Sequence, residues 1–426
     1  MTLLDEAAKT EIPGPSLEDF YDAQRVLAGV AQTTPMECSR YLEEVLGVPV
    51  YLKCENLQRT GAYKIRGAYY CISKLSDEEK ARGVVAASAG NHAQGVAYSC
   101  ARKKVKGMIF MPTPTPKQKI AQVKMFGGDF VEVILTGDTF DDASQKARAF
   151  CNLHDMHFVH PFDDEKVIEG QATIGLEILA QSKVGIDYLF LPVGGGGVAS
   201  GVSSVFKIRS PETKIIGVEP EGAPSMSRSI ANAENTVLFD IDKFVDGASV
   251  QRVGDLNFNI CKENLFEMAT VHEGKICQTI LDMYNKDAIV VEPAGAMTVA
   301  VLEKYREEIK GKNVVCLVSG SNNDITRTEE IKERALLYSG VKHYFIVRFP
   351  QRAGALKDFI EKVLGPKDDI THFEYSKKQS STNAPAVVGI ELGNPSDFNA
   401  LKKRMVSFNF FGEYLNDKPD LFQFLV

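Results

Sequence analysis

The chain has 426 residues, 44% of them hydrophobic and 25% charged, with a formal net charge of −7. That length exceeds one ordinary core, so about two or three domains are expected, and the acidic balance argues against a general nucleic-acid binder. No apolar run is long enough to cross a bilayer, and the opening MTLLDEAAKTEIPGPS lacks the basic and apolar regions of a secretory signal. The eight cysteines are scattered and none falls in a C-x-x-C pair. That spacing favours reduced thiols in a cytoplasm over a disulfide framework or a zinc site.

From about Val48 to Ile331, short apolar runs alternate with helical stretches. The first motif, TGAYKIRG (60–67), sets Lys64 where a helix begins, with Arg66 and Gly67 behind it. GVVAAS (83–88) reads as a buried strand, and GNHAQGVAYSCARKK (90–104) as a helix with small residues on one face. KGMIFMP (106–112) is a strand closed by the loop TPTPKQK, and DFVEVILTG (129–137) is another. YLFLPV (188–193), KIIGVEP (214–220) and NVVCLVS (313–319) complete the series. Strands alternating with helices predict parallel α/β layers, whose ligands sit beyond the carboxyl ends of the strands.

After about residue 340 the pattern changes. HYFIVRFP (343–350), DITHFEYSKK (369–378) and APAVVGIELG (384–393) read as strands, with GEYLND (412–417) closing the set. AGALKDFIEKVLG (353–365) and NPSDFNALKKRMVSFNF (394–410) read as helices. The order β-α-β-β-α-β is a ferredoxin-like α+β unit.

Chemistry concentrates at strand ends. The run PVGGGGVASG (192–201) lies between a strand and a helix, where glycine backbone and helix amides receive a phosphate. It also fits G-x-G-x-x-A through Gly194, Gly196 and Ala199, with Glu219 ending the next strand. That leaves a nicotinamide-dependent dehydrogenase as a rival reading, though one that gives Lys64 no task. SAGNHAQG (88–95) offers Ser88, Asn91 and free helix amides to a carboxylate or a ring hydroxyl. Alone, Ser88 and Asn91 equally suit N-capping. His92 reads as an orienting or partly buried imidazole, because no second histidine sits at ligand spacing. In VSGSNND (318–324), the hydroxyl of Ser319 stands at a strand's mouth and suits a heterocycle. A lysine, a phosphate cradle, a carboxylate turn and a lone hydroxyl together fit pyridoxal phosphate.

Those motifs resemble the tryptophan-synthase-β-like, fold-type II pyridoxal-phosphate enzymes. TGAYKIRG is similar to their S-F-K-x-R-G lysine motif, with Ala62 and Tyr63 in place of Ser and Phe. SAGNHAQGVA, PVGGGGVASG and VEPAGA (291–296) resemble the serine/threonine dehydratase branch. The resemblance covers roughly residues 20–335. The segment 340–426, with FPQRAGALKDFIEKVL, resembles the ACT-like regulatory module of biosynthetic threonine deaminase (threonine dehydratase), with Ala353 where a proline is usual. One such module fits the remaining length.

The resemblance implies a two-lobed catalytic domain over 1–335, its smaller lobe near 60–165, and an ACT-like regulatory domain over 340–426. It implies that Lys64 attaches the cofactor and takes the substrate α-proton. Gly194, Gly195, Gly196, Gly197 and Val198 would hold the phosphate, Asn91 the ring hydroxyl and Ser319 the ring nitrogen. Ser88, Ala89, Gly90 and His92 would cradle the substrate carboxylate. It assigns no metal-ligating residue. The implied reaction takes L-threonine to 2-oxobutanoate and ammonia, at the entry to isoleucine synthesis, with L-serine a second substrate. Isoleucine would inhibit and valine oppose it, in a cytoplasmic homo-oligomer, a tetramer. A catabolic serine/threonine dehydratase and a serine racemase remain the near alternatives.

Overall fold

A computed structural model describes residues 15–375, 383–418 and 421–422. The chain divides into two compact units, Met1–Asp324 and Ile325–Val426. The opening segment 1–14 and residues 376–378 of the strand read at 369–378 lie outside the described residues.

The first unit contains β1 (Met36–Cys38), β2 (Val50–Cys54), β3 (Val84–Ala87), β4 (Gly107–Met111), β5 (Val131–Leu135), β6 (His157–Phe158), β7 (Tyr188–Pro192), β8 (Lys214–Pro220), β9 (Glu267–Val271) and β10 (Val314–Val318). They form a six-stranded sheet, β1-β2-β10-β7-β8-β9, and a four-stranded sheet, β5-β4-β3-β6. Every described pairing is parallel except β1 with β2. The fully buried strands β3, β7 and β10 are continuous apolar runs, as strands covered on both faces require. Each sheet has its own core: Leu189, Leu191, Val202 and Phe206 around one, Val84, Ala86, Val96 and Ile109 around the other. The segment read as the loop TPTPKQK divides at Pro116, and Lys117 already opens the helix Lys117–Gly127.

A charged cluster lies inside this unit. Arg66 is 1% exposed, and its guanidinium donates to both oxygens of Glu55, at 2.8 and 2.9 Å. It also donates to Glu177 at 2.7 and 3.0 Å. Lys53, fully buried, donates to Glu177, to Gln181 and to the Thr34 carbonyl. Two cations thus meet two carboxylates with their hydrogen bonds satisfied, the condition for tolerating buried charge. The cluster ties the helix Lys64–Lys74 to the helix Glu165–Gln181.

The second unit contains β11 (Lys342–Pro350), β12 (Asp369–Tyr375), β13 (Asn383–Glu391) and β14 (Phe411–Tyr414), with helices Ala355–Lys362 and Phe398–Ser407 between them. The sheet order β12-β13-β11-β14 is antiparallel throughout. Phe345, Val347, Phe359, Val388, Leu401 and Met405 fill its core. The unit begins upstream of residue 340. Helix Thr328–Tyr338 belongs to it, because Glu333 pairs with Lys342 and accepts from the Tyr344 hydroxyl at 2.8 Å.

Candidate active site

Lys64 opens its helix, and the preceding residues are fixed by the loop after β10. Ala62 bridges to Gly320, the Tyr63 amide donates to the Ser319 carbonyl at 3.2 Å, and the Ser321 amide donates to Gly61 at 2.8 Å. Lys64 and Ser319, 255 positions apart in sequence, are thereby brought to one place. The Lys64 ammonium donates to the Pro161 carbonyl at 2.7 Å and faces the rings of Tyr63 and Phe162 at 5.4 and 5.9 Å. Burial among these groups lowers its pKa from 10.5 to about 8, with the Glu292 carboxylate acting in the opposite direction.

Phe162 joins the lysine to the glycine run. A Cβ built on Gly195 would fall within the Phe162 ring, so any larger residue there displaces it. Gly196 has φ +95° and caps the helix Gly197–Arg209 without a side-chain hydrogen bond. The first amides of that helix therefore remain free of side-chain caps, a ready anion site. Asn257 holds the loop from behind, donating to the carbonyls of Gly195 at 2.9 Å and Phe162 at 3.0 Å.

On the other side, Asn91 begins the helix Asn91–Lys103 and donates to Glu292 at 2.7 Å. Its carbonyl oxygen accepts from Asn322 at 2.7 Å, which fixes the orientation of the amide. Glu292 is 5% exposed, and its backbone amide donates to Gly320 at 3.0 Å, so it stands beside Ser319. Burial raises its pKa from 4.5 to about 7, Asp246 adds to the rise, and the Asn91 hydrogen bond opposes it. Ser88, Ala89 and Gly90 are half-buried at the helix start, where the Ser88 hydroxyl accepts from the Gly90 amide. The His92 ring turns away, buried against the Val159 carbonyl at 2.8 Å, and burial depresses its pKa to about 3.

Glu219 is not placed to hold a ribose. It is 1% exposed and accepts from the amides of Met226 and Ser227 and from the Ser227 hydroxyl. Those hydrogen bonds satisfy it internally, which removes the acidic partner the nicotinamide reading requires. Phe162 and Asn257 carried no local signal as site residues, since tertiary contacts alone bring them to the lysine and the glycine run; Glu292 and Asn322 lie inside the motifs VEPAGA and VSGSNND, which did not single them out.

The family of pyridoxal-phosphate dependent enzymes matches residues 28–320, and the C-terminal regulatory domain of threonine dehydratase matches residues 333–425. The chain is 52% identical over 410 residues to the biosynthetic L-threonine dehydratase IlvA of Halalkalibacterium halodurans, covering 96% of this chain and 99% of the relative. It is 51% identical over 415 residues to a Staphylococcus aureus protein of the same description, at 96% and 98% coverage. Among solved structures it is similar to the processed form of threonine deaminase isoform 2 from Solanum lycopersicum, with TM-score 0.71 and 40% identity over 76% of this chain and 95% of that one. It is also similar to serine racemase from Dictyostelium discoideum, with TM-score 0.68 and 31% identity over 73% of this chain and 99% of that one. In the described residues no helix is long and apolar enough to cross a membrane. The chain belongs to the pyridoxal-phosphate dependent enzymes and, within them, to the biosynthetic threonine dehydratase family.

Proposed function

We propose that this chain converts L-threonine to 2-oxobutanoate and ammonia, the entry step to isoleucine synthesis, with Lys64 as its catalytic residue. The observation that carries the reading is the lysine itself. It is desolvated, depressed toward neutrality and joined through Phe162 to an uncapped helix start. The residues fit pyridoxal phosphate: Gly194, Gly195, Gly196, Gly197 and Val198 would hold its phosphate, Asn91 its hydroxyl and Ser319 its ring nitrogen. When bound, the cofactor supplies a covalent attachment point for the amine and an electron sink for a carbanion at the substrate's Cα.

The chain's own groups do the rest. A fall from 10.5 to about 8 raises the neutral fraction of Lys64 at pH 7 by about two orders of magnitude, which suits a group that must accept the Cα proton. Ser319 would bring a neutral hydroxyl, not a carboxylate, to the ring nitrogen, and would so favour its unprotonated form. Asn91 is aimed by Glu292 and Asn322. The turn of Ser88, Ala89, Gly90 and His92 would take the substrate carboxylate through the helix-start amides, the His92 ring being engaged elsewhere.

The same proposal assigns effector binding to the unit Ile325–Val426, with isoleucine as inhibitor and valine opposing it, and catalysis to the unit Met1–Asp324. It includes a cytoplasmic homotetramer and L-serine as a second substrate. The regulatory-domain match favours the biosynthetic dehydratase over a serine racemase. The test is a visible spectrum of the purified protein followed by an assay for 2-oxo acid from L-threonine, with and without isoleucine. A cofactor band bleached by borohydride, with product formation that isoleucine suppresses, is the expected result. Lys64→Ala should lose both band and turnover; near-normal turnover in that variant overturns the assignment.

A further inference from the structure

Away from Lys64 and the glycine run, the fold assembles Cys71, His157 and Asp164. Cys71 lies late in the helix Lys64–Lys74, His157 opens β6, and Asp164 caps the helix Glu165–Gln181. One ligand atom from each lies within 4.8 Å of the others, and Sγ of Cys71 is 3.6 Å from Nε2 of His157. We propose that this trio is a binding site for a divalent cation of borderline softness, of the zinc class.

Geometry and donor type both support it. A tetrahedral zinc ion, with bonds of about 2.3 Å to sulfur and about 2.0–2.1 Å to nitrogen, separates the two donors by about 3.5 Å. The sulfur–nitrogen distance here already has that value. A thiolate, an imidazole and a carboxylate select against magnesium and calcium, which take oxygen ligands. Thiolate and carboxylate together balance a double positive charge, so no net charge is buried. Asp164 gives Oδ1 to the Val167 amide at 2.9 Å, and its carboxylate also accepts from the Cys71 thiol, a proton that an ion would replace. His157 and Asp164 are half-buried, so water can complete the coordination, whereas Cys71 is 2% exposed.

Without an ion, burial and the neighbouring Asp164 hold the Cys71 thiol in its protonated form. Binding therefore releases a proton from sulfur as the metal–sulfur bond forms. The position also bears on the lysine. The segment between His157 and Asp164 contains Pro161, whose carbonyl takes the Lys64 ammonium, and Phe162, which packs on Gly195. Cys71 follows Lys64 by about 10 Å along one helix. An ion here would fasten both ends of the segment that supports the lysine.

The test uses the full-length holoenzyme, stripped with a chelator and then equilibrated with zinc. Bound metal is counted by elemental analysis and thermal stability is followed in parallel. Cys71→Ser and Asp164→Asn are compared with the parent; asparagine retains the capping oxygen, so the helix start survives. One zinc per chain is expected, with a rise in melting temperature, and an affinity at least about tenfold weaker in either variant. Absence of stoichiometric zinc in the parent overturns the proposal. So does equal binding in parent and variants, which would place the metal at exposed Cys38 beside Glu43 or on the cofactor.

Discussion

Burial moves Lys64 and Glu292 toward each other on the pH scale, the amine down to about 8 and the carboxylate up to about 7. For Glu292 the folded pKa exceeds the ordinary carboxyl value of 4.5, so the folded chain holds a proton that the unfolded chain has released. That contribution to stability is complete below pH 4.5 and is lost as pH rises through about 7. Glu292→Gln removes the linkage, so the parent should lose roughly 1 kcal/mol relative to the variant between pH 6 and pH 8. Thermal melts at the two pH values check this; an unchanged difference would show that Glu292 keeps its charge across the range. Lys64, Asn91 and Ser319 could be singled out as candidates in the sequence because each sits beside a strand end or helix start that the local pattern reveals. Glu292 was visible only as part of VEPAGA; its partnership with Asn91, 201 positions away, is made by folding alone.

At the level of elements, the strand β7, the glycine run and the following helix act as one part. The turn needs a positive φ at Gly196 and a side-chain-free approach at Gly195. Gly195→Ala forces a methyl group against Phe162, and overpacking of this kind costs about 1–3 kcal/mol. Because Phe162 also faces Lys64, the expected loss falls on cofactor affinity as well as on melting temperature. Reconstitution of the apoenzyme with pyridoxal phosphate would measure it; parent-like affinity would show that the ring moves aside freely. The strands β3, β7 and β10 were readable because a strand covered on both faces is apolar throughout, and β8 because its centre is apolar between Lys214 and Glu219. Strands β1, β6 and β9 were not: they are short or partly exposed, and tertiary pairing decides them.

For the whole molecule, the ferredoxin-like order after residue 340 was visible in the alternation of apolar runs, and the sheet order agrees with it. The helix Thr328–Tyr338 was harder to allocate. Its periodicity says helix, while only Glu333, through Lys342 and Tyr344, shows which unit it serves. A truncation designed to remove regulation should therefore end at Asp324, not near residue 340. The shortened enzyme is expected to retain turnover of L-threonine and lose its response to isoleucine, as steady-state assays would report. Inhibition that survives the truncation would move the effector site into the first unit.

The buried group of Arg66, Glu55, Glu177 and Lys53 has a consequence for how such a chain can change over generations. Losing any one member leaves an uncompensated charge in the interior, at a cost of about 3–5 kcal/mol. Most domains possess only about 5–15 kcal/mol in total. Single replacements at these positions therefore remove a large share of the fold's stability, whereas a concerted exchange for apolar residues can be neutral. The four should vary together or not at all across descendants of this sequence. The helix that begins with Lys64 is then held in place by inheritance as firmly as by chemistry.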